Sequence, residues 1–137
     1  MNLVLDASIA LSWCFEDQGS EEALQTLERL RSNEAVVPPL WTLEVANGLL
    51  TAERQRRLDA EAMARAGHLL LSLPIVVEPA ARARPLTTVL PLARKHRLSA
   101  YDGAYLELAL RRNIPLATLD RSLRRAARSE GVEVALG

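Results

Sequence analysis

The chain has 137 residues, of which 49% are hydrophobic, and this suits one compact domain with a sizeable apolar core. Its 17 basic and 17 acidic residues balance to a formal net charge of zero, so the composition as a whole argues against a strongly basic nucleic-acid-binding protein. Only one Phe, two Tyr and two Trp are present, so the core must be built mainly from aliphatic residues.

Apolar runs and helical spacing divide the chain into alternating elements. In chain order we predict a strand at 3–5, helices at 8–15 and 20–32, a strand at 35–37, helices at 40–57 and 59–73, a strand within 74–79, helices at 84–97 and 99–113, a strand within 114–120, a helix at 121–130 and a last short strand within 131–136.

Capping residues and prolines support these boundaries. Ser20, Asp59 and Ser99 each precede a helical stretch and are predicted N-caps. Pro85 fits the first turn of its helix, and Pro91 predicts a kink or a new helical start.

Strands that alternate with helices indicate an α/β fold with a mostly parallel central sheet. The strands are continuous apolar runs rather than alternating ones, as expected where helices cover both faces of the sheet. The sequence shows no internal repeat and no low-complexity linker, so residues 1–137 are expected to form a single domain.

Three of the five aspartates lie where such a fold binds ligands, outside the carboxyl ends of its strands. Asp6 and Asp120 directly follow predicted strands, and Asp102 lies in the first turn of a predicted helix. Each also has a structural explanation: Asp6 and Asp120 suit helix capping, with Ser8 sharing the cap at Asp6, and Asp102 suits the helix dipole.

Glu44 is harder to explain structurally, because it lies in the apolar stretch "LWTLEVANGLL" with no Lys or Arg within one helical turn. A partly buried carboxylate without a partner is costly or remains protonated. A helix-edge glutamate that reaches water is the alternative.

Several carboxylates that converge on one point repel one another, and a divalent metal removes the repulsion. Oxygen ligands alone favour Mg²⁺ or Mn²⁺. His68 and His96 lack metal-ligand spacing and are expected to be structural or surface residues. The chain has no Gly-rich phosphate loop and no G-x-S-x-G motif.

Four stretches carry a resemblance that covers essentially the whole chain. They are "LVLDASIALSW", "PPLWTLEVANGLL", "LSAYDGAYLELAL" and "PLATLDRSLRRAA". In order and spacing they resemble the conserved blocks of PIN-domain nucleases, and more narrowly the VapC toxins of type II toxin–antitoxin pairs.

The resemblance implies a PIN-like three-layer sandwich and a Mg²⁺- or Mn²⁺-dependent endoribonuclease. Asp6, Glu44, Asp102 and Asp120 match its four acids, with Asp6 and Asp102 as the first choices for direct metal ligands. Ser8 and Thr118 match positions where the family often keeps a hydroxyl near the metal, although helix capping and strand propensity explain them equally well.

The implied partners are an RNA substrate, a VapB-like antitoxin and a second copy of the chain in a homodimer. Trp13, Trp41 and the Leu-rich helices could supply the antitoxin surface, although Trp41 is expected to be core. A catalytically silent PIN-like module, a structure-specific DNA nuclease and a small phosphatase remain alternatives.

An acidic site must also bind an acidic substrate. Sixteen of the 17 basic residues are Arg, the side chain that pairs bidentately with phosphate, although genomic composition explains this bias as well. Arg121 and Arg124 are the candidates nearest the site. Other candidates are Arg54, Arg56, Arg57, Arg111, Arg112, Arg125 and Arg128.

The location is expected to be cytoplasmic. No apolar run approaches the roughly 20 residues that span a membrane, and no signal peptide is expected at the N-terminus. Cys14, the only cysteine, cannot form an intramolecular disulfide and is expected to be a small core residue.

Overall fold

The computed structural model describes residues 1–15 and 20–135, and within them strands and helices alternate as predicted. The elements in chain order are β1 (Leu3–Leu5), α1 (Ala7–Ser12), α2 (Glu21–Arg29), β2 (Ala35–Val37), α3 (Leu40–Arg54), α4 (Ala60–Ser72), β3 (Ile75–Val77), a π-helical turn (Pro85–Val89), α5 (Leu90–His96), α6 (Ala100–Arg112), β4 (Leu116–Ala117) and α7 (Arg121–Ser129). None of the helices in the described part of the chain has the length and apolar character needed to cross a bilayer.

The four strands form one parallel sheet in the order β3-β2-β1-β4. Val4 pairs with Val36 on one side and with Leu116 on the other, so β1 lies inside the sheet. The α/β prediction with a short parallel central sheet flanked by helices is therefore confirmed.

Complete burial of the central strands explains their continuous apolar sequences. Every residue of β1 and β2 is buried, and β1 has no solvent-accessible surface. Trp41 is 5% exposed, so the prediction that it belongs to the core is confirmed. Cys14 is half-buried and packs against the same core.

Close helix packing depends on one glycine in particular. A Cβ atom at Gly48 of α3 would lie 2.5 Å from the Cδ1 atom of Leu11, which follows Ala10 in α1. A side chain at position 48 would therefore displace the Leu11 side chain, and Leu11 belongs to α1, the helix that directly follows Asp6.

The predicted caps at Ser20, Asp59 and Ser99 are confirmed. Each side-chain oxygen accepts a hydrogen bond from the backbone N–H three residues later. Asp120 caps α7 in the same way, through a 2.8 Å bond from the Leu123 N–H to its Oδ1.

The two prolines divide the helical stretch 84–97 in two. Pro85 lies in the first turn, and the Leu90 N–H donates to the Pro85 carbonyl across one extra residue, which makes this turn π-helical. Pro91 lies at the start of α5, as expected for a residue that has no N–H to donate.

Several predicted elements were too long. The helix predicted at 20–32 ends at Arg29, and the helix predicted at 40–57 ends at Arg54. The first helix ends at Ser12 rather than 15. The final predicted strand is reduced to one parallel bridge between Val134 and Leu116, and residues 136 and 137 lie outside the described part.

The strand order also determines where a crevice forms. From β1 the chain proceeds to β2 and β3 on one side, whereas β4 lies on the other side of β1. All strands remain parallel, but the side on which the chain adds new strands therefore changes between β1 and β4. Ligands of open α/β sheets bind outside the carboxyl ends of the strands at such a point.

Candidate active site

Four carboxylates, which we call the acid cluster, surround this point of the sheet: Asp6, Glu44, Asp102 and Asp120. Asp6 follows β1, and Asp120 lies three residues beyond β4 as the N-cap of α7. Glu44 lies on α3 and Asp102 in the first turn of α6. Asp6, Asp120 and Glu44 all raise the pKa of Asp102 by repulsion, so the fold brings the four predicted site residues into mutual electrostatic contact.

Asp6 is 6% exposed, and two hydroxyl groups hold it in place. Thr118 donates to its Oδ2 at 2.6 Å and Ser8 donates to the same oxygen at 2.8 Å. Asp6 occupies the N-cap position of α1, but its side chain makes no capping hydrogen bond. A capping hydrogen bond of ordinary geometry is therefore absent, although the Ala7 and Ser8 amides still lower the pKa of Asp6.

Both hydroxyl groups are oriented by backbone amides. The Leu119 N–H donates to Ser8 Oγ at 3.2 Å, and the Asp120 N–H donates to Thr118 Oγ1 at 3.1 Å. Each hydroxyl oxygen therefore accepts a hydrogen bond from a backbone amide and donates its own proton to Asp6. Ser8 thus braces Asp6 against the loop after β4, and the expectation that it shares the α1 cap is not met.

Glu44 has a partner that the sequence reasoning missed. The Tyr105 hydroxyl donates to Glu44 Oε1 at 2.5 Å, and the Tyr105 side chain is fully buried. Tyr105 follows Asp102 by three residues, so both lie on one face of α6. A buried tyrosine needs a hydrogen-bond partner, and this spacing was the available signal.

Burial raises the pKa of three carboxyls in the cluster. The pKa of Asp102 rises to about 6, first through burial and then through the neighbouring acids. Burial raises the pKa of Asp6, against the lowering effect of the Thr118 and Ser8 hydroxyls. Burial also raises the pKa of Glu44, with Tyr105 opposing the rise and Asp6 adding to it.

No cation offsets this repulsion within the described residues. None of the four carboxylates forms an ion pair there, and the Asp102 carboxylate has no hydrogen-bond donor either. The set consists only of oxygen donors, which is the chemistry that Mg²⁺ and Mn²⁺ prefer.

The carboxylates are close enough to perturb one another but are not gathered around one point. In residues 1–15 and 20–135, no three His, Cys, Asp or Glu side chains form a group that could already hold a metal ion. Mutual repulsion accounts for such a spacing, because like charges separate unless a counter-ion draws them together.

The arginine candidates fall into different environments. Arg111 and Arg112 bind Glu78, and Arg111 also binds Glu107. Arg57 lies over the ring of Phe15, 4.6 Å from its centroid. Arg121 and Arg125 are exposed on α7.

Arg124 is an anchored side chain. Its Nε donates to the Thr118 carbonyl at 2.7 Å, and its guanidinium pairs with Glu22. Arg124 thus ties α7 to α2 and to the end of β4, beside the hydroxyl that braces Asp6.

The remaining polar and aromatic candidates have structural contacts. His96 Nε2 lies 2.6 Å from Glu130 Oε2, and His68 is exposed on α4. Trp13 is half-buried, and its indole N–H donates to the Ala23 carbonyl at 2.7 Å.

Solved structures share this fold. PAE2754 from Pyrobaculum aerophilum superimposes with a TM-score of 0.70 at 22% sequence identity, over 92% of this chain and 84% of that one. FitAcB from Neisseria gonorrhoeae gives a TM-score of 0.64 at 19% identity, over 98% of this chain and 96% of that one.

Sequence comparison adds a relative and a family. Ribonuclease VapC3 from Pyrobaculum aerophilum is 30% identical over 123 residues, which cover 90% of this chain and 92% of that protein. A family model of the PIN domain matches residues 3–129, a range that includes all four members of the acid cluster. The chain therefore belongs to the PIN-domain family.

Proposed function

We propose that this chain is a metal-dependent endoribonuclease that acts as the toxin of a type II toxin–antitoxin pair. The observation that carries the proposal is the Asp102 carboxyl, whose pKa rises to about 6 beside three other acids with no cationic partner in the described residues. A raised carboxyl pKa lowers the stability of the fold at neutral pH, and groups perturbed in this way cluster at functional sites. The 30% identity to a protein named ribonuclease VapC3 supports RNA as the substrate class.

The acid cluster suits one or two Mg²⁺ or Mn²⁺ ions. Asp6 and Asp102 are our choices as direct ligands, and Glu44 and Asp120 would bind through water, complete a second site or help to activate the nucleophile. When bound, the ion supplies a Lewis acid that activates water and offsets charge on the phosphoryl oxygens.

The residues around the acids have positioning roles in this proposal. Ser8 and Thr118 hold Oδ2 of Asp6, and the backbone amides of Ala7 and Ser8 also favour its ionised form. Tyr105 holds Glu44 through a hydrogen bond to its Oε1. In-line attack by water on the phosphorus, with breakage of the P–O3′ bond and departure of the 3′-oxygen, would give 5′-phosphate and 3′-hydroxyl ends.

A VapB-like antitoxin and a second copy of the chain are the proposed protein partners. Both tryptophans are largely withdrawn into the fold, so exposed aliphatic and aromatic side chains are the better candidates for these contacts. The most exposed of them include Leu43, Leu71, Leu86 and Tyr101.

Parallel assays on RNA, single-stranded DNA and a generic phosphate ester test the activity. We expect RNA cleavage in Mg²⁺ or Mn²⁺, none in EDTA, and a loss of at least about a thousandfold in Asp6→Asn and Asp102→Asn. Circular dichroism of both variants provides the folding control. Cleavage of DNA alone would indicate a DNA nuclease, and hydrolysis of the ester alone would indicate a phosphatase. No cleavage of any substrate would indicate a catalytically silent PIN-like module.

The toxin role is tested separately in cells. Expression of the chain alone should arrest growth, Asp6→Asn should relieve the arrest, and co-expression with the product of the neighbouring small gene should relieve it as well. RNA cleavage in vitro without growth arrest would support the ribonuclease activity and contradict the toxin role.

A further inference from the structure

The outward face of α7 carries four arginines, Arg121, Arg124, Arg125 and Arg128, which we call the arginine patch. Together they line a shallow surface cavity of about 300 Å³, and no other residue of the described part of the chain contributes to it. Leu123, Ala126 and Ala127 are buried on the opposite side of the helix, which orients the arginines outward.

Two exposed arginines elsewhere on the surface have acidic partners three or four positions away. Arg31 pairs with Glu28 at 3.0 Å, and Arg65 pairs with Glu61 at 3.4 Å. Helix α7 contains no acidic residue, and Glu130 just beyond it is bound by Lys95 and His96.

Two members of the patch have no partner. Within residues 1–15 and 20–135, Arg121 and Arg125 form no ion pair and no side-chain hydrogen bond, although both are exposed. Like charges one turn apart destabilise a helix by a few tenths of a kcal/mol. The described chain therefore leaves this pair of charges uncompensated.

Arg124 fixes the patch relative to the acid cluster. Its bond to the Thr118 carbonyl joins α7 to the end of β4, and Thr118 itself holds Asp6. The helix begins directly after Asp120, so the arginine patch borders the acid cluster.

We propose that Arg121 and Arg125 bind phosphates of the RNA strand next to the bond that is cleaved. This inference rests on the proposed function, because it takes the acid cluster as the place of cleavage. An acidic site repels a polyanion, and a bordering surface with uncompensated positive charge offsets that repulsion. Arginine forms bidentate hydrogen bonds with phosphate oxygens, which suits this role.

The helix geometry fits a strand that runs along α7. Arg121 and Arg125 are separated by about 6 Å along the helix axis, which is comparable to the separation of neighbouring phosphates in a flexible single strand. Arg124 remains bound to Glu22 and Thr118, so it supports the surface and does not contact the strand.

Fluorescence anisotropy with a labelled 20-nucleotide oligouridylate, in EDTA and over a series of salt concentrations, tests the inference. The variant is Arg121→Gln/Arg125→Gln. Its control is Arg31→Gln/Arg65→Gln, which removes the same net charge from two other places on the surface, just beyond α2 and on α4. A poly-glutamate peptide of equal length serves as the second ligand.

We expect the patch variant to bind RNA at least tenfold more weakly, and its slope of log affinity against log salt to fall by about 1.4. The control should keep the slope of the unmodified chain. An equal loss in both variants, or a loss confined to poly-glutamate, would overturn the inference, and the second result would assign the surface to an acidic protein.

The cleavage assay distinguishes this failure from failure of the proposed function. If the salt slope falls as expected but no variant cleaves RNA, the arginine surface stands and the hydrolase proposal falls. If RNA is cleaved but the patch variant binds and cleaves it like the unmodified chain, the hydrolase proposal stands and the inference about the arginine patch fails.

Discussion

Two groups of carboxylates lie at the carboxyl edge of the same sheet, and they differ in whether cationic side chains pair with them. The acid cluster has no cation in the described part of the chain, whereas the second group contains Glu78 and Glu107 with arginines. We call this second group the ion-pair cluster; its members are Glu78, Arg84, Glu107, Arg111 and Arg112. Helix α6 contributes Asp102 to the first group and Glu107 to the second.

The pKa shifts of the two groups have opposite signs. Hydrogen bonds from Arg111, at 2.6 and 2.7 Å, lower the pKa of Glu78 although that residue is only 8% exposed. Burial and neighbouring acids raise the pKa of Asp102 instead. The fold can thus supply cations to buried acids. In the described part of the chain it supplies none to the acid cluster, and this contrast supports the proposed metal site.

The largest effect is expected from removal of the central cation of the ion-pair cluster. Arg111→Met should lower the free energy of unfolding by about 3–5 kcal/mol, because it leaves two buried carboxylates without their main partner. Urea denaturation measures this. Arg112→Met is the matched control, since Arg112 is more exposed and makes one contact of 3.3 Å, and it should cost less than about 1 kcal/mol. Equal losses in the two variants would contradict the comparison.

Removal of the Tyr105 hydroxyl should affect the acid cluster more than the fold. Tyr105→Phe is expected to reduce RNA cleavage and Mn²⁺ affinity about 10- to 100-fold, as is typical when the support of a metal ligand is lost. The unfolding free energy should fall by only about 1 kcal/mol. Tyr101→Phe, on the exposed side of α6, provides the control. Unchanged Mn²⁺ affinity in Tyr105→Phe would mean that the hydroxyl merely satisfies a buried polar atom.

Thr118→Val should reduce cleavage by about tenfold, because Asp6 loses one of its two hydroxyl donors. The loss also raises the pKa of Asp6, so the acidic limb of the pH–rate profile should move to higher pH. Thr26→Val is the control: it removes an equally buried hydroxyl that binds the Glu22 carbonyl, away from the acids. Matching pH profiles in the two variants would contradict the bracing role.

The smallest expected effect is a gain of stability. The raised pKa of Asp102 means that the folded protein retains a proton that the unfolded chain releases, so its contribution is unfavourable above about pH 6 and is relieved as the pH falls toward 4. Asp102→Asn should therefore stabilise the metal-free protein at pH 7.5 by about 1 kcal/mol, after allowance for solvent screening, and by less at pH 5. Thermal unfolding in EDTA at both pH values measures this. Destabilisation at pH 7.5 would show that the carboxylate has a favourable partner.

One sequence pattern, an apolar run followed directly by a charge, predicted both the buried strands and the positions of acids at the sheet edge. Each buried strand is a continuous apolar run, so a charge immediately after it, such as Asp6, marks the carboxyl edge of the sheet. Glu44 was identifiable because its neighbours are apolar and no basic residue lies within one turn.

The contacts that support those acids could not be predicted, because they join residues far apart in the chain. Tyr105 and Glu44 are separated by 61 residues, and Thr118 and Asp6 by 112. The Thr118–Asp6 pair forms because β4 lies beside β1, and the Tyr105–Glu44 pair joins α6 to α3. Neither arrangement is encoded in local periodicity. The role of Arg111 depends in the same way on the position of β3.

The central claim is that the acid cluster is a site for a divalent metal, and Mn²⁺ titration calorimetry tests it most directly. At pH 7.5 the unmodified chain should bind Mn²⁺, whereas Asp6→Asn and Asp102→Asn should each bind it at least tenfold more weakly, and the Arg31→Gln/Arg65→Gln control should bind it normally. Binding that is absent from the unmodified chain, or that is unchanged in both acid variants, would contradict the account.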